Sequence, residues 1–201
     1  MHSEISRRAF ILGLSALGAL SLVPGPAAAL TVGEARGLID AAVGDINRVI
    51  NSGKSQSAMI RDFEGIFARY ADVPTIARSC LGPAARSASG AQMQAYTQAF
   101  QGYIARKYGK RFGEFVGGRV EVNDARPVRN YFEVISTAHL RGKSPFEVRF
   151  LVSDRSGRNK FFNLLMEGVN MLATERTEIG AMLDRRRGDI NGMIADLQGA
   201  G

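Results

Sequence analysis

The amino-acid sequence predicts an α+β domain in which an antiparallel meander of about four strands is covered by six to seven helices. Three observations carry this expectation. Segments at 131–140, 146–152 and 159–166 are rich in β-branched and aromatic residues, and turn signals at Arg141-Gly142-Lys143-Ser144 and Asp154-Arg155-Ser156-Gly157 separate them. The middle segment alternates, so Phe146, Val148, Phe150 and Val152 share one face while Glu147 and Arg149 take the other. The rest of the patterned sequence has helical spacing, so only helices are left to cover that apolar face.

The chain opens with Arg7 and Arg8, followed by fourteen apolar or small residues over 10–23 and by Ala27-Ala28-Ala29, the layout of a cleaved export signal. The apolar run is short for a bilayer span, so removal near residue 29 is expected, leaving one domain over 30–201. Ser6-Arg7-Arg8-Ala9-Phe10-Ile11 is similar to a twin-arginine leader, although Leu12 stands where a lysine is common and the general secretory route accepts the same layout. Either route ends in a bacterial periplasm.

Thr31 and Glu34 form a capping box ahead of Val32, Ala35, Leu38, Ile39, Ala42, Ile46, Val49 and Ile50, which recur at helical spacing. This first helix ends near Gly53. A second is expected over 57–70, with Met59, Ile60, Phe63, Ile66 and Phe67 on its apolar side. Asp72 caps a third, Pro74 sits in its first turn, where a missing N–H is harmless, and Gly82 closes it. Ser89 opens the longest helix, whose stripe is Met93, Tyr96, Phe100, Tyr103, Ile104 and Tyr108 and whose end is basic, with Arg106, Lys107, Lys110 and Arg111. Those cations suit the helix dipole and need no ligand to explain them. A short strand at 119–122 and an irregular stretch through Pro127 lead into the meander. Helix then returns over 174–187, and Asp189 caps a last one carrying Ile190, Met193, Ile194 and Leu197.

Composition excludes several chemistries. Beyond the leader the chain has one histidine, His139, and one cysteine, Cys80, far apart in sequence, so a site of closely spaced His or Cys metal ligands is excluded. No P-loop, dinucleotide fingerprint or G-x-S-x-G elbow is present. Cys80 lies in an apolar helical context and reads as a small buried hydrophobe. The formal net charge is +7, and the leader holds two arginines and one glutamate, which leaves +6 on the domain. In an exported protein that excess speaks against nucleic acid and for anionic headgroups or an acidic protein surface, if it does more than keep the protein soluble.

Four segments carry a family resemblance. Asp72-Val73-Pro74-Thr75-Ile76-Ala77-Arg78-Ser79-Cys80-Leu81-Gly82 resembles the D-x-x-x-I-A-R-x-x-L-G signature of the MlaC, or toluene-tolerance, proteins. The helix over 96–108 is similar to their aromatic helix. Residues 160–170 resemble their K-V-x-D-V-x-x-E-G-V-S segment, with Glu167-Gly168-Val169 intact, and Arg176, Ile179, Leu183, Gly188, Ile190, Met193, Ile194 and Leu197 follow their C-terminal pattern. Two tryptophans common in the family fall here on Ala85 and Asn159, while Asn163 and Asn170 replace the usual aspartate and serine. The departures are those of a divergent branch, and a related branch accompanies hopanoid transport.

The resemblance implies a nuclear-transport-factor-like fold enclosing a lipid cleft, and a periplasmic carrier with no cofactor beyond bound phospholipid as cargo; a carrier that must release its cargo to two partners is most simply a monomer. Its implied partners are the substrate-binding ring of an inner-membrane lipid ABC transporter and an outer-membrane lipoprotein complex. The expected cleft residues are Phe132, Val134, Phe146, Val148, Phe150, Phe162 and Leu164 from the sheet, with Phe100, Tyr103 and Ile104 from the long helix. Arg106, Lys107, Lys110 and Arg111 are the candidates to meet headgroup phosphate or acidic partners. Periodicity leaves open whether these apolar residues line a cleft or close a solid core, and whether the opposite face, with Tyr131 and Ile135, contributes. Two other readings stand beside the carrier. An enzyme on the same cone-shaped fold would turn Glu133 or His139 into the cavity, and a protein-binding adaptor would have no cavity at all.

Overall fold

The computed structural model describes residues 29–201, so all but the last residue of the leader expected over 1–29 lies outside the described residues. The described chain forms α1 (Val32–Ile50), α2 (Gln56–Tyr70), α3 (Val73–Leu81), a 3-10 turn at Gly82–Arg86, α4 (Gly90–Gly109) and α5 (Phe112–Phe115). Five strands follow: β1 (Arg119–Val128), β2 (Tyr131–His139), β3 (Phe146–Ser153), β4 (Lys160–Met166) and β5 (Val169–Asn170). The helices α6 (Met171–Arg185) and α7 (Ile190–Gly199) end the chain. None of the described helices is long and apolar enough to cross a membrane.

Local signals set the helix starts. Thr31 Oγ1 accepts from the Glu34 amide at 3.2 Å while Glu34 accepts from the Thr31 amide at 2.8 Å, and Ser89 and Gln92 form a second reciprocal pair. Asp72 accepts from the Thr75 amide, and Gly82 leaves α3 with φ +63°. The one-turn α5 was not expected. The chain bends at Lys110 and Arg111 and places two phenylalanines, Phe112 and Phe115, one helical turn apart.

The sheet is an antiparallel meander in the order β1-β2-β3-β4-β5. Its first strand is longer than the expected 119–122, because β1 bulges between Val122 and Asp124 and then resumes pairing, with Ala125 opposite Val134 and Pro127 opposite Phe132. Asn, Asp and Pro are poor strand formers. They are tolerated here because β1 is an edge strand, where a bulge and a missing N–H cost little. A second irregularity falls in β4: Leu151 pairs with Asn163 and Val152 with Phe161, which leaves Phe162 as the extra residue. Strict alternation puts Phe162, Leu164 and Met166 on one face. The bulge shifts the phase, so Phe161, not Phe162, joins Leu164 and Met166 opposite Val152, Phe150 and Val148.

The helices pack on that face. Helix α1 lies against β1 and α2, α4 lies between α2 and α7, and α3 meets α4 and α6. The apolar interior falls into two clusters. The larger includes Ile39, Tyr96, Phe100, Val134, Val152, Ile179, Met193 and Leu197, and the smaller is built on Val49, Ile50, Met59, Ile66 and Phe112. Asp45, buried between α1 and α2, accepts from the Tyr70 hydroxyl at 2.7 Å and from Arg69 at 3.1 Å. The Tyr70 bond, with Arg48 and Arg69 beside it, holds the Asp45 carboxyl below its ordinary range.

Candidate functional site

Between the two clusters lies a cavity of about 220 Å³. Its floor is the sheet: Val120 of β1, Ala138 of β2, Phe146, Val148 and Phe150 of β3, and Phe161, Leu164 and Met166 of β4. Its roof is Ala42, Val43 and Ile46 of α1, Phe63, Ile66 and Phe67 of α2, Ile104 and Tyr108 of α4, and Phe112 and Phe115 of α5. Met171 and Leu172, at the start of α6, close one side. Arg111, Asn163 and Glu175 are the hydrogen-bonding side chains in the wall besides Tyr108; the rest is hydrocarbon and aromatic ring. Such a surface holds apolar chains and gives water little to bind.

Aromatic contacts brace the wall. Phe63 meets Phe112 edge-on with centroids 4.9 Å apart, and Phe150 meets Phe161 edge-on at 5.6 Å. Helix α2 reaches the roof because it crosses the end of α4 closely. A Cβ on Gly109 would stand 2.7 Å from Ile60 Cγ1 and 3.3 Å from Ile60 Cα.

A polar cluster ties α4 to α6 beside the cavity. Glu175, 3% exposed, accepts from Lys107 Nζ at 2.7 Å and from the Tyr108 hydroxyl, while its second oxygen has no partner. Lys107 Nζ also reaches Glu178 at 2.7 Å, and the Tyr103 hydroxyl donates to Glu178 at 2.8 Å. Burial works against the Lys107 charge, yet the bonds to Glu175 and Glu178 outweigh it and raise the ammonium above the ordinary lysine range. The Lys107 bond holds Glu178 below the usual carboxylate range. Burial, then the bond to Glu175, pushes the Tyr108 hydroxyl up, and Tyr103 is raised by burial and the nearby carboxylates. The arrangement clamps α4 to α6.

Of the residues expected from the sequence to line a cleft, Ile104, Phe146, Val148, Phe150, Phe162 and Leu164 border the cavity. Phe162 does so from the bulge, its ring edge-on to Tyr131 at 5.8 Å. Phe100, Tyr103, Phe132 and Val134 are not in the wall. Phe100 is fully buried against Tyr96, and Tyr103 faces Glu178, because α4 is surrounded on several sides and its apolar stripe serves more than one neighbour. Val134 and Phe132 belong to the solid part of the sheet–helix core.

Among the four cations, Arg111 borders the cavity. Arg106 donates to the carbonyls of Leu197 at 2.5 Å and Ala200 at 2.7 Å, capping the end of α7, and Lys110 donates to the Gly201 carbonyl. Lys107 is held by its two glutamates. The roof residues of α1, α2 and α5 escaped the sequence reading; the Phe112-x-x-Phe115 pair just past the basic end of α4 was the available signal.

Glu133 and His139 point away from any cavity chemistry. Glu133 pairs with Arg126 at 2.7 Å, His139 lies 3.2 Å from Glu121, and neither lines the cavity. No group of three potential metal ligands occurs among the described residues. Cys80 is buried, and burial pushes its thiol up to about 12.

An α+β domain with a helix-covered meander and an internal apolar cavity is the class that this geometry defines. Residues 40–199 match the family model described as MlaC protein, and the chain belongs to the MlaC family, whose members are periplasmic lipid-binding proteins and generally not catalytic. Among solved structures the fold is similar to that of the phospholipid-binding protein from Ralstonia solanacearum, determined in complex with a phospholipid. The TM-score is 0.70 at 17% identity, over 82% of this chain and 95% of that one.

Proposed function

We propose that this protein is a periplasmic carrier that holds the acyl chains of a phospholipid in the cavity between the sheet and helices α1, α2, α4 and α5. The observation that carries the reading is the wall itself, hydrocarbon and aromatic on every side apart from Tyr108, Arg111, Asn163 and Glu175. Each buried CH₂ is worth roughly 0.8 kcal/mol, so moving a two-chain lipid with about thirty of them through water costs on the order of 20 kcal/mol. A cavity that replaces bilayer contacts with side-chain contacts removes the part of that barrier that belongs to the chain segments it encloses. Ile104, Phe146, Val148, Phe150, Phe162 and Leu164 contact the chains, joined by Phe63, Phe67, Phe112 and Phe161, while Phe100, Tyr103, Phe132 and Val134 support the wall from behind. Met166 and Met171 on the margin have the flexible thioether chains that suit an opening of variable width. Export by the leader over 1–29, read from its arginines, apolar run and alanines, and hand-off between an inner-membrane transporter ring and an outer-membrane lipoprotein complex, drawn from the resemblance, complete the reading.

Native mass spectrometry of protein purified from periplasm, followed by organic extraction, tests the proposal. Bound two-chain phospholipid is expected, and Ile104→Trp or Leu164→Lys should lower its amount by about tenfold or more, since either fills or charges an apolar wall. Phe100→Leu should lower stability and leave the cargo in place. A polycyclic lipid in the extract would keep the cavity and change the cargo. A clean apo mass that persists after incubation with lipid vesicles would sink the carrier reading.

A further inference from the structure

Three large apolar side chains are exposed among the described residues, Val32, Val116 and Val169, and two of them stand on the margin of the cavity. Val116, 46% exposed, directly follows the wall residue Phe115; Val169, 54% exposed, lies between the wall residues Met166 and Met171. Each sits beside a turn with left-handed backbone, at Gly117 (φ +75°) on one side and at Glu167 and Gly168 (φ +50° and +80°) on the other. Isolated exposed valines are ordinary on a protein surface. Two on separate margins of one apolar opening are not explained by holding lipid inside it.

The margin is also cationic. Arg111 borders the opening, Arg141 packs over Gly117 and Lys143 reaches Glu114 beside it, against Glu114, Glu147 and Glu167. Arg111 and Lys143 share the single carboxylate of Glu114, at 3.3 and 2.9 Å, and Arg141 has no acidic partner among the described residues. The Arg141 side chain packs over Gly117, its Nε 3.1 Å from where a Cβ would stand, so a free cation lies beside Val116.

We propose that this margin docks directly on an anionic lipid surface, Val116 and Val169 entering the headgroup region while Arg111, Arg141 and Lys143 meet phosphates. The inference rests on the carrier reading, because an acyl chain that passes between bilayer and cavity stays out of water when the opening abuts the membrane. Charge complementarity selects the occupant. A positive rim around an apolar opening matches the phosphates of an anionic leaflet. Two separate valines form no contiguous patch of the size that a specific protein interface buries, and no exposed aromatic anchor accompanies them. With Glu114, Glu147 and Glu167 opposing the cations, the contact is weak and salt-sensitive, as a carrier that must leave again requires.

The test is vesicle flotation of the purified protein with phosphatidylglycerol or phosphatidylcholine vesicles at low and high salt, read beside native mass spectrometry of cargo. Wild-type protein should float with the anionic vesicles at low salt and stay behind with the zwitterionic ones. Val116→Asp combined with Val169→Asp should weaken flotation by about tenfold or more and leave the cargo unchanged. Arg141→Glu combined with Lys143→Glu should remove the salt-sensitive part, again with cargo intact. Cargo-bearing wild-type protein that stays off anionic vesicles overturns the docking proposal and assigns the margin to a protein partner. Equal flotation of the valine variant overturns it too. Absence of cargo counts instead against the carrier reading.

Discussion

Lys107 lies 2.7 Å from both Glu175 and Glu178 and 5.5 Å from the ring centres of Tyr103 and Tyr108, so one side chain joins α4 to α6. Removing one member of a buried pair costs about 3–5 kcal/mol because the other charge stays buried. Lys107 keeps 24% of its side chain in solvent, so Lys107→Met is expected at the lower end, about 3 kcal/mol, in urea unfolding. The pH dependence has two limbs. Glu178 is lowered in the folded state, so its contribution is present above the ordinary glutamate value of about 4.3 and lost as pH falls through the folded value. Lys107 is raised, so its contribution is present below about 10.4 and lost as pH rises through its folded value. Urea midpoints measured across pH should therefore show a plateau between these limbs, and Lys107→Met should shrink both. Cys80, on α3 and buried where that helix packs against α6, with its thiol raised to about 12, should not react with a thiol reagent near neutral pH until the protein unfolds. Reaction of the native protein would contradict that burial.

Between Gly109 of α4 and Ile60 of α2 there is no room for a methyl group, and this crossing decides where the roof of the cavity sits. Gly109→Ala improves helix propensity by up to about 1 kcal/mol, yet it presses on Ile60 Cα as well as its side chain and is expected to cost about 1–3 kcal/mol overall. A urea midpoint above the wild type would refute the close crossing. Elements were legible where their signals are local. The caps at Thr31, Asp72 and Ser89 and the alternation of β3 each depend on a few adjacent residues. What depends on a distant partner was not. The β4 bulge exists because Val152 and Leu151 take Phe161 and Asn163 as neighbours, and nothing within 160–166 announces it. The same holds for β1 beyond Val122, where pairing with β2 overrides poor strand formers. In α4, aromatic residues recur on faces toward α2, α3 and α7, so spacing alone could not separate Ile104, which borders the cavity, from Phe100, which does not.

At the scale of the whole molecule, an interior in two clusters with an apolar gap between them is a stability cost that a cargo offsets. An unfilled cavity costs about 24 cal/mol per Å³ by the behaviour of engineered voids, so about 220 Å³ corresponds to roughly 5 kcal/mol, as an upper figure for a cavity that opens at its margin. Lipid that binds only the folded protein recovers part of this, about 2.7 kcal/mol at a hundred times its Kd. For a domain of this size each kcal/mol moves Tm by about 2–4 °C, so saturating a delipidated sample should raise Tm by roughly 5–10 °C. Leu164→Phe gives the sharper comparison, because Leu164 stands partly buried on the floor of the cavity. If the gap is real, the larger ring fills part of it, the delipidated variant melts above the delipidated wild type, and the lipid-induced shift shrinks. In a closed core the same substitution overpacks and lowers Tm by the equivalent of about 1–3 kcal/mol. Differential scanning calorimetry of the two delipidated proteins therefore separates a carrier from a filled adaptor by the sign of one temperature difference, independently of which lipid the cavity takes.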